Sequence, residues 1–98
     1  MLITVVNAGE IWYIVAREAS AADADASIKQ LRDLGVKFVD VDWELAKIAG
    51  NFKSRHKMSF ADCFAAALAK QKRGHLATGD PEFTQVESEI SIEWLREI

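Results

Sequence analysis

Three short motifs hold the residues of this chain that could do chemistry. Ser59-Phe60-Ala61-Asp62 places a carboxylate in the first turn of a very apolar helix. Thr78-Gly79-Asp80-Pro81-Glu82-Phe83 places a second carboxylate, that of Asp80, 18 residues later at the end of the next strand. Asn7-Ala8-Gly9-Glu10 adds a third acid in the first turn of another helix. Three carboxylates at such positions suit a hard divalent cation, and that cation suits phosphodiester chemistry.

Each of these acids also has an ordinary structural explanation. Asn7 and Glu10, and likewise Ser59 and Asp62, have the spacing of a capping box, in which the third helical residue bonds back to the cap. Asp80 is by itself a good N-cap. Taken singly, each acid is better explained as part of a cap. Taken together, the three favour a metal site.

The surroundings of the acids are what favour the joint interpretation. The helix after Asp62 is apolar nearly all round, which predicts that it lies in the interior. Asp62 lies on the side of Ala65 and Ala66, where small side chains let other backbone approach closely. A carboxylate in such surroundings must be paired, protonated or bound to a metal. Asp80 follows a parallel strand, where open α/β sheets usually bind their ligands.

The composition is that of one packed domain rather than a disordered or membrane-spanning chain. Half of the 98 residues are hydrophobic and 28% are charged. No apolar run approaches the ~20 residues needed to cross a bilayer. The lone cysteine, Cys63, cannot form an internal disulfide, which predicts a cytoplasmic location and a role as a small core residue.

The charge is unevenly distributed along the chain. The net charge of −3 argues against a generic nucleic-acid binder. Residues 53–75 nevertheless contain six bases and one acid, an excess that could hold a polyanion beside the acidic centre. The six bases are Lys53, Arg55, Lys57, Lys70, Lys72 and Arg73. The alternative is that they are solvated helix ends that complement helix dipoles, and for the bases alone this alternative is favoured.

Hydrophobic periodicity predicts strands that alternate with helices. Strands are expected at residues 3–6, 36–41 and 75–78, and a last one at residues 90–94. Four helices are expected. The first spans residues 7–19 with Asn7 as its cap, and the second spans residues 20–34 and stops at Gly35. The third begins after its cap, Asp42, and the fourth spans residues 60–73 between Ser59 and Gly74. Asp80 and Pro81 begin a further short helix. This order predicts an α/β fold with a parallel-rich sheet flanked by helices.

The three motifs, in this order and spacing, resemble those of the PIN-domain nucleases, and most closely the VapC-type toxins of toxin–antitoxin systems. The resemblance covers residues 3–94 and implies one PIN-like domain over residues 1–98. It implies a ribonuclease that uses Mg²⁺ or Mn²⁺, an RNA substrate and a cognate antitoxin protein. Glu10, Asp62 and Asp80 would be the metal-binding acids, with Thr78 as a polar neighbour.

The basic excess at residues 53–75 supplies the candidate contacts to an RNA substrate. The expected RNA-contacting residues are Lys53, Arg55, Lys57 and Arg73. His56 and His75 are expected at the surface or against the RNA, because the metal chemistry needs no histidine as a base.

One part of the family pattern has no counterpart here. The family carries another Asp on a first, central strand upstream of the position of Glu10, so the domain is expected to be partial and N-terminally truncated. Without that strand, two half-sheets with unpaired backbone are expected. A homodimer, with or without exchanged elements, or another chain would restore the pairing. The lost acid would weaken metal binding and impair activity.

Two other hypotheses compete with the nuclease. One is a catalytically inactive PIN-like module that binds a partner protein through Trp12, Tyr13 and Trp43, although core packing is the favoured explanation of all three residues. The other is a gene remnant in which Met1 is an internal residue of a longer protein.

Overall fold

The structure is a computed structural model that describes residues 1–95. Within these residues, strands alternate with helices, which confirms the predicted α/β class. The strands are β1 (Leu2–Thr4), β2 (Lys37–Val39), β3 (His75–Thr78) and β4 (Ser91–Trp94). The helices are α1 (Val5–Glu18), α2 (Ala21–Asp33), α3 (Trp43–Arg55) and α4 (Phe60–Lys72), and a 3₁₀ helix spans Pro81–Val86. None of the described helices is long and apolar enough to cross a membrane.

These elements form two compact units, Met1–Val41 and Asp42–Ile98, called the first and the second unit below. In the first unit, β1 pairs in parallel with β2, and α1 packs against α2. In the second unit, β3 pairs in parallel with β4, and α3 packs against α4. Residues 1–95 thus contain two two-stranded parallel sheets, which confirms the expected pair of half-sheets.

Helix α1 begins earlier than predicted, and its N-cap is Thr4. The Thr4 hydroxyl accepts the backbone N–H of Asn7 at 3.0 Å and donates to Asn7 Oδ1 at 2.6 Å. Because Thr4 is completely buried, its hydroxyl needs partners, and the start of the helix supplies them. The assignment of Asn7 as the cap is therefore wrong. Glu10 consequently lies in the second turn of α1, not in the first.

The other helix starts lie where the sequence predicted them. Ser20, Asp42 and Ser59 are the caps of α2, α3 and α4, and each side chain accepts the N–H three residues ahead at 2.9–3.1 Å. Helix α2 ends before Gly35, which has a φ of 88°. Glycine adopts this backbone conformation without strain, whereas other residues do not. The predicted caps Asp42 and Ser59 are thus confirmed, and the helix predicted from Ser20 has that residue as its cap.

The core of the second unit is formed by α3 and α4. Cys63 has no exposed surface, which confirms it as a core residue, and burial raises the pKa of its thiol. Helix α4 ends one residue earlier than predicted, because Arg73 with φ 52° adopts the left-handed conformation expected for Gly74. The buried side chains on the two helices are Leu45, Ala49, Phe52, Cys63, Phe64, Ala66, Ala67, Leu68 and Ala69.

Three aromatic residues that were expected in the core lie at the surface. Trp12, Tyr13 and Trp43 are 38%, 43% and 72% exposed, so the core-packing interpretation is wrong for all three. Trp12 donates its indole N–H to the exposed Asp25 at 2.9 Å, and Tyr13 stacks under the guanidinium of Arg17. These polar partners lie at the surface and hold the rings of Trp12 and Tyr13 there.

Candidate metal centre

Asp62 is held by the start of α4. Its backbone N–H donates to the Ser59 hydroxyl at 3.1 Å, which places Asp62 at the third helical position. The capping-box alternative requires the Asp62 carboxylate to accept the N–H of Ser59, and no such bond forms within the described part of the chain. The side chain is half-buried, as its place beside the alanines predicted. Its carboxylate is therefore available for another role.

Asp80 is held by the turn between β3 and the 3₁₀ helix. Its N–H donates to the Thr78 hydroxyl at 3.1 Å, and its Oδ1 accepts the N–H of Glu82 at 2.9 Å. Asp80 is thus the N-cap that the sequence predicted. The Thr78 hydroxyl stabilises the turn that carries Asp80, because it accepts the Asp80 N–H. The second carboxylate oxygen of Asp80 takes no part in the cap.

Asp62, Asp80 and Glu82 form one cluster of acids in the second unit. One carboxylate oxygen from each residue lies within 4.8 Å of the other two. Asp62 and Asp80 were predicted as partners, and the structure brings them together. Glu82 was not among the predicted site residues, although it belongs to the motif that carries Asp80. The sequence feature that could have indicated Glu82 is Asp80-Pro81-Glu82, in which both acids lie at the start of one 3₁₀ helix.

Within the part of the chain that the structure describes, basic side chains do not pair with this cluster. Each pair of carboxylates at this separation repels by about 1 kcal/mol in water, and more where protein replaces solvent. Among residues 1–95, no lysine, arginine or histidine forms an ion pair with any of the three acids. Several carboxylate oxygens at one point are the donor set that Mg²⁺, Mn²⁺ or Ca²⁺ prefers. The donor chemistry therefore fits a hard divalent cation.

Glu10 is the third acid that the sequence named. It is half-buried in the second turn of α1 and belongs to the first unit. Its part in a metal site stays a prediction.

The predicted RNA-contacting residues divide into two kinds. Lys53 donates its ammonium to the Met58 carbonyl at 2.6 Å, and Arg55 makes a two-point ion pair with Glu89. Lys57 and Arg73 are exposed, and their side chains make no hydrogen bond or ion pair within the described residues. Lys57 and Arg73 are thus the two that remain available to a ligand.

Glu89 is the centre of an ion-pair network that the sequence did not indicate. Arg55 donates to both of its oxygens, at 2.7 and 3.1 Å, and His56 Nε2 lies 2.9 Å from Oε2. The Arg55 hydrogen bonds lower the pKa of Glu89 to about 2, and His56 contributes in the same direction. The His56 side chain is half-buried at 17% exposure, whereas His75 is exposed as predicted.

Comparisons with known proteins add to this geometry. The family model described as PIN domain matches residues 1–89. Among solved structures, the chain is similar to one in the crystal structure of a member of the VapBC family of toxin–antitoxin systems, VapBC-5, from Mycobacterium tuberculosis. The TM-score is 0.68 at 21% identity, and the match covers 96% of this chain and 79% of that one. The comparison with curated proteins found no match.

Proposed function

This chain belongs to the PIN-domain family, and from that premise we propose that it is a metal-dependent endoribonuclease, the toxin of a toxin–antitoxin pair. The observation that carries the proposal is the cluster of Asp62, Asp80 and Glu82, three carboxylates without a basic partner among the described residues. The toxin–antitoxin assignment is supported by the fold shared with a protein of a VapBC system.

The proposed cofactor is Mg²⁺ or Mn²⁺. Asp62, Asp80 and Glu82 would hold the ion, with Glu10 as a further ligand. When bound, such an ion supplies activation of water and neutralises charge that develops on a phosphodiester. Thr78 orients Asp80 through its hydrogen bond to the backbone N–H. The α4 backbone orients Asp62.

The proposed substrate is RNA. Lys57 lies in the segment before α4, and Arg73 ends the same helix. Both are exposed, and each can pair with a phosphate without first breaking an internal contact. Lys53 and Arg55 would have to leave Met58 and Glu89 to do so. The contribution to RNA binding is therefore assigned first to Lys57 and Arg73.

The test is cleavage of RNA with and without Mg²⁺ or Mn²⁺. The parent chain should cut only with the metal, and Asp62→Asn and Asp80→Asn should abolish cutting while remaining folded. Asp40→Asn is the matched control, because Asp40 is exposed and lies in the first unit, away from the acid cluster in sequence. The assignment is wrong if both cluster variants cut RNA as fast as the parent.

The proposed oligomer is a homodimer, with or without exchanged elements. Each strand in residues 1–95 pairs with one other strand, so each two-stranded sheet has unpaired edges. Such sheets are marginal alone, and parallel strands normally lie inside larger sheets. A second copy can supply the missing pairing. Light scattering after gel filtration should give twice the 10.9 kDa of one chain, and a monodisperse, cooperatively melting 10.9 kDa particle would contradict the dimer.

The proposed protein partner is a cognate antitoxin in the cytoplasm. The exposed aromatic residues Trp12, Tyr13 and Trp43 are suited to such a contact. The same exposure favours a second candidate, an inactive module that only binds protein. Mn²⁺ separates the two, because a ligand that binds only the folded state raises the melting temperature by mass action. The inactive module should melt at the same temperature with and without Mn²⁺.

A further inference from the structure

A single side-chain amide joins the two segments that carry the acid cluster. Gln85, in the 3₁₀ helix, accepts the backbone N–H of Lys57 on Oε1 at 3.0 Å. Its Nε2 donates to the Lys57 carbonyl at 3.1 Å and to the Glu82 carbonyl at 3.1 Å. One amide thus bonds the backbone ahead of α4 and the backbone of Glu82. This set of three hydrogen bonds is called the Gln85 clasp below.

Only a carboxamide can make the whole clasp. The Lys57 N–H needs an acceptor, while the two carbonyls need donors, and Gln85 offers both kinds of group on one planar head. A glutamate of the same shape could accept the N–H but would direct a carboxylate oxygen at two carbonyl oxygens. A leucine of similar size would make none of the three bonds.

The clasp lies close in sequence to each part of the cluster. Lys57 is two residues before the Ser59 cap of α4, which orients Asp62. Gln85 is three residues after Glu82, in the same 3₁₀ helix that Asp80 caps. The connection from α3 to α4 and the turn after β3 are distant from each other in sequence. The distance between them in the fold therefore depends on contacts such as the clasp.

The segment that Gln85 holds is also fixed from its other side. Met58 is only 2% exposed, and its carbonyl accepts the Lys53 ammonium at 2.6 Å. The Lys57–Met58 backbone is therefore anchored, and the clasp ties the 3₁₀ helix to an anchored point. A movement of the 3₁₀ helix away from α4 would have to break the clasp.

We propose that Gln85 is a positioning residue, which sets the distance between the Asp62 carboxylate and those of Asp80 and Glu82 through the clasp. The proposal rests on the proposed function, since it assigns this distance to the binding of a divalent cation. Metal–ligand distances tolerate an error of about 0.2 Å, so a loosened ligand pair binds the ion less tightly. Residues that orient ligands typically change metal affinity by ~10- to 100-fold, and the lower end is expected here because Gln85 acts through the backbone.

The test is Mn²⁺ titration by calorimetry on the full chain. Gln85→Leu should weaken Mn²⁺ binding by about tenfold. Gln85→Glu should weaken it by less, because its added negative charge attracts the cation. Gln71→Leu is the matched control, because Gln71 is an exposed glutamine of the same unit whose side chain makes no hydrogen bond in the described residues. Asp42→Ala is the control for stability, because it removes the cap of α3 without touching the clasp. Both controls should bind Mn²⁺ within twofold of the parent.

A second measurement reads the clasp directly. Exchange of the Lys57 amide proton, followed by NMR, should be faster in Gln85→Leu and remain close to the parent rate in Gln85→Glu, which still accepts that N–H. If Gln85→Glu binds Mn²⁺ more weakly while the Lys57 amide stays protected, the loss of the two donated hydrogen bonds is sufficient to weaken metal binding.

The outcomes separate this proposal from the proposed function. If Asp62→Asn abolishes Mn²⁺ binding while both Gln85 variants bind like the parent, the positioning role is refuted and the metal site stands. If Asp42→Ala weakens binding as much as Gln85→Leu does, general destabilisation explains the effect and the positioning role is again refuted. If Asp62→Asn binds Mn²⁺ as tightly as the parent, the metal site itself is wrong and the role of Gln85 falls with it.

Discussion

Helices α1 and α4 begin with the same type of N-cap, a residue with a hydroxyl side chain. The side chain three residues after the cap has a different role in each helix. In α1 the Thr4 hydroxyl accepts the N–H of Asn7 at 3.0 Å, and in α4 the Ser59 hydroxyl accepts the N–H of Asp62 at 3.1 Å. Asn7 then accepts the Thr4 hydroxyl proton at 2.6 Å, so its side chain takes part in the cap. The Asp62 carboxylate makes no bond back to Ser59 among residues 1–95 and joins two other acids instead.

The difference shows that cap spacing alone does not reveal what the third side chain does. Thr4 is fully buried, and its hydroxyl must find both a donor and an acceptor within the chain. Ser59 is exposed. Water can therefore form the hydrogen bonds that its hydroxyl and backbone N–H do not form within the protein. A buried cap therefore recruits the side chain three residues ahead, whereas an exposed cap leaves that side chain available for a ligand.

The largest effect is expected at the third residue of α4. Asp62→Asn removes one charged ligand and should weaken Mn²⁺ binding by about 100-fold, measured by calorimetry. Asp23→Asn is the matched control, since Asp23 holds the same position after the Ser20 cap of α2 and belongs to no acid cluster in the described residues. Equal losses in the two variants would mean that charge at a helix start, and not the cluster, attracts the ion.

A smaller effect is expected at the residue that the sequence did not indicate. Glu82→Gln should weaken Mn²⁺ binding by about tenfold, because it leaves Asp62 and Asp80 in place and keeps the side-chain size. Glu87→Gln, at an exposed acid just beyond the 3₁₀ helix, should leave the affinity unchanged. If Glu82→Gln binds Mn²⁺ like the parent, the cluster consists of two working acids rather than three.

The two caps themselves should differ in stability when they are removed. Thr4→Ala should lower the free energy of unfolding by about 1 kcal/mol, because it breaks two hydrogen bonds of a buried hydroxyl. Ser59→Ala should cost roughly 0.5 kcal/mol, because an exposed cap is partly replaced by water. Urea unfolding of both variants checks the order, and a larger loss for Ser59→Ala would overturn the argument from burial.

Much of the fold could be predicted from the sequence, because local signals carry it. Ser20, Asp42 and Ser59 mark three helix starts by chemistry that acts within four residues. The pairing of Asp62 with Asp80 could also be predicted, since one acid starts a buried helix and the other follows the next strand. The start of α1 was placed wrongly, because the choice between Thr4 and Asn7 depends on the burial of Thr4, which is a property of the fold.

The side-chain contacts of Gln85 and Glu89 that are distant in sequence could not be predicted. The Gln85 clasp joins residues 28 positions apart, and the ion pair of Arg55 with Glu89 joins residues 34 positions apart. Nothing in the local pattern distinguishes Gln85 from Gln71, or Glu89 from Glu87. Glu82 was not predicted, because its side chain reaches the cluster through the 3₁₀ turn that follows Asp80.

A similarly small effect is expected from the ion-pair network that joins Arg55 and His56, at the end of α3, to Glu89. The pKa of Glu89 is lowered from 4.5 to about 2, first by the hydrogen bonds from Arg55. Because the folded pKa is the lower one, this stabilisation is complete above about pH 4.5 and is lost as the pH falls towards 2. Glu89→Gln should therefore lower the free energy of unfolding by about 0.5 kcal/mol at pH 7, a value reduced for the solvent exposure of the Arg55 side chain. Urea unfolding at pH 7, 5, 4 and 3 should show the gap between parent and variant narrowing below pH 4.5, and a constant gap would mean that the lost contact is not ionic.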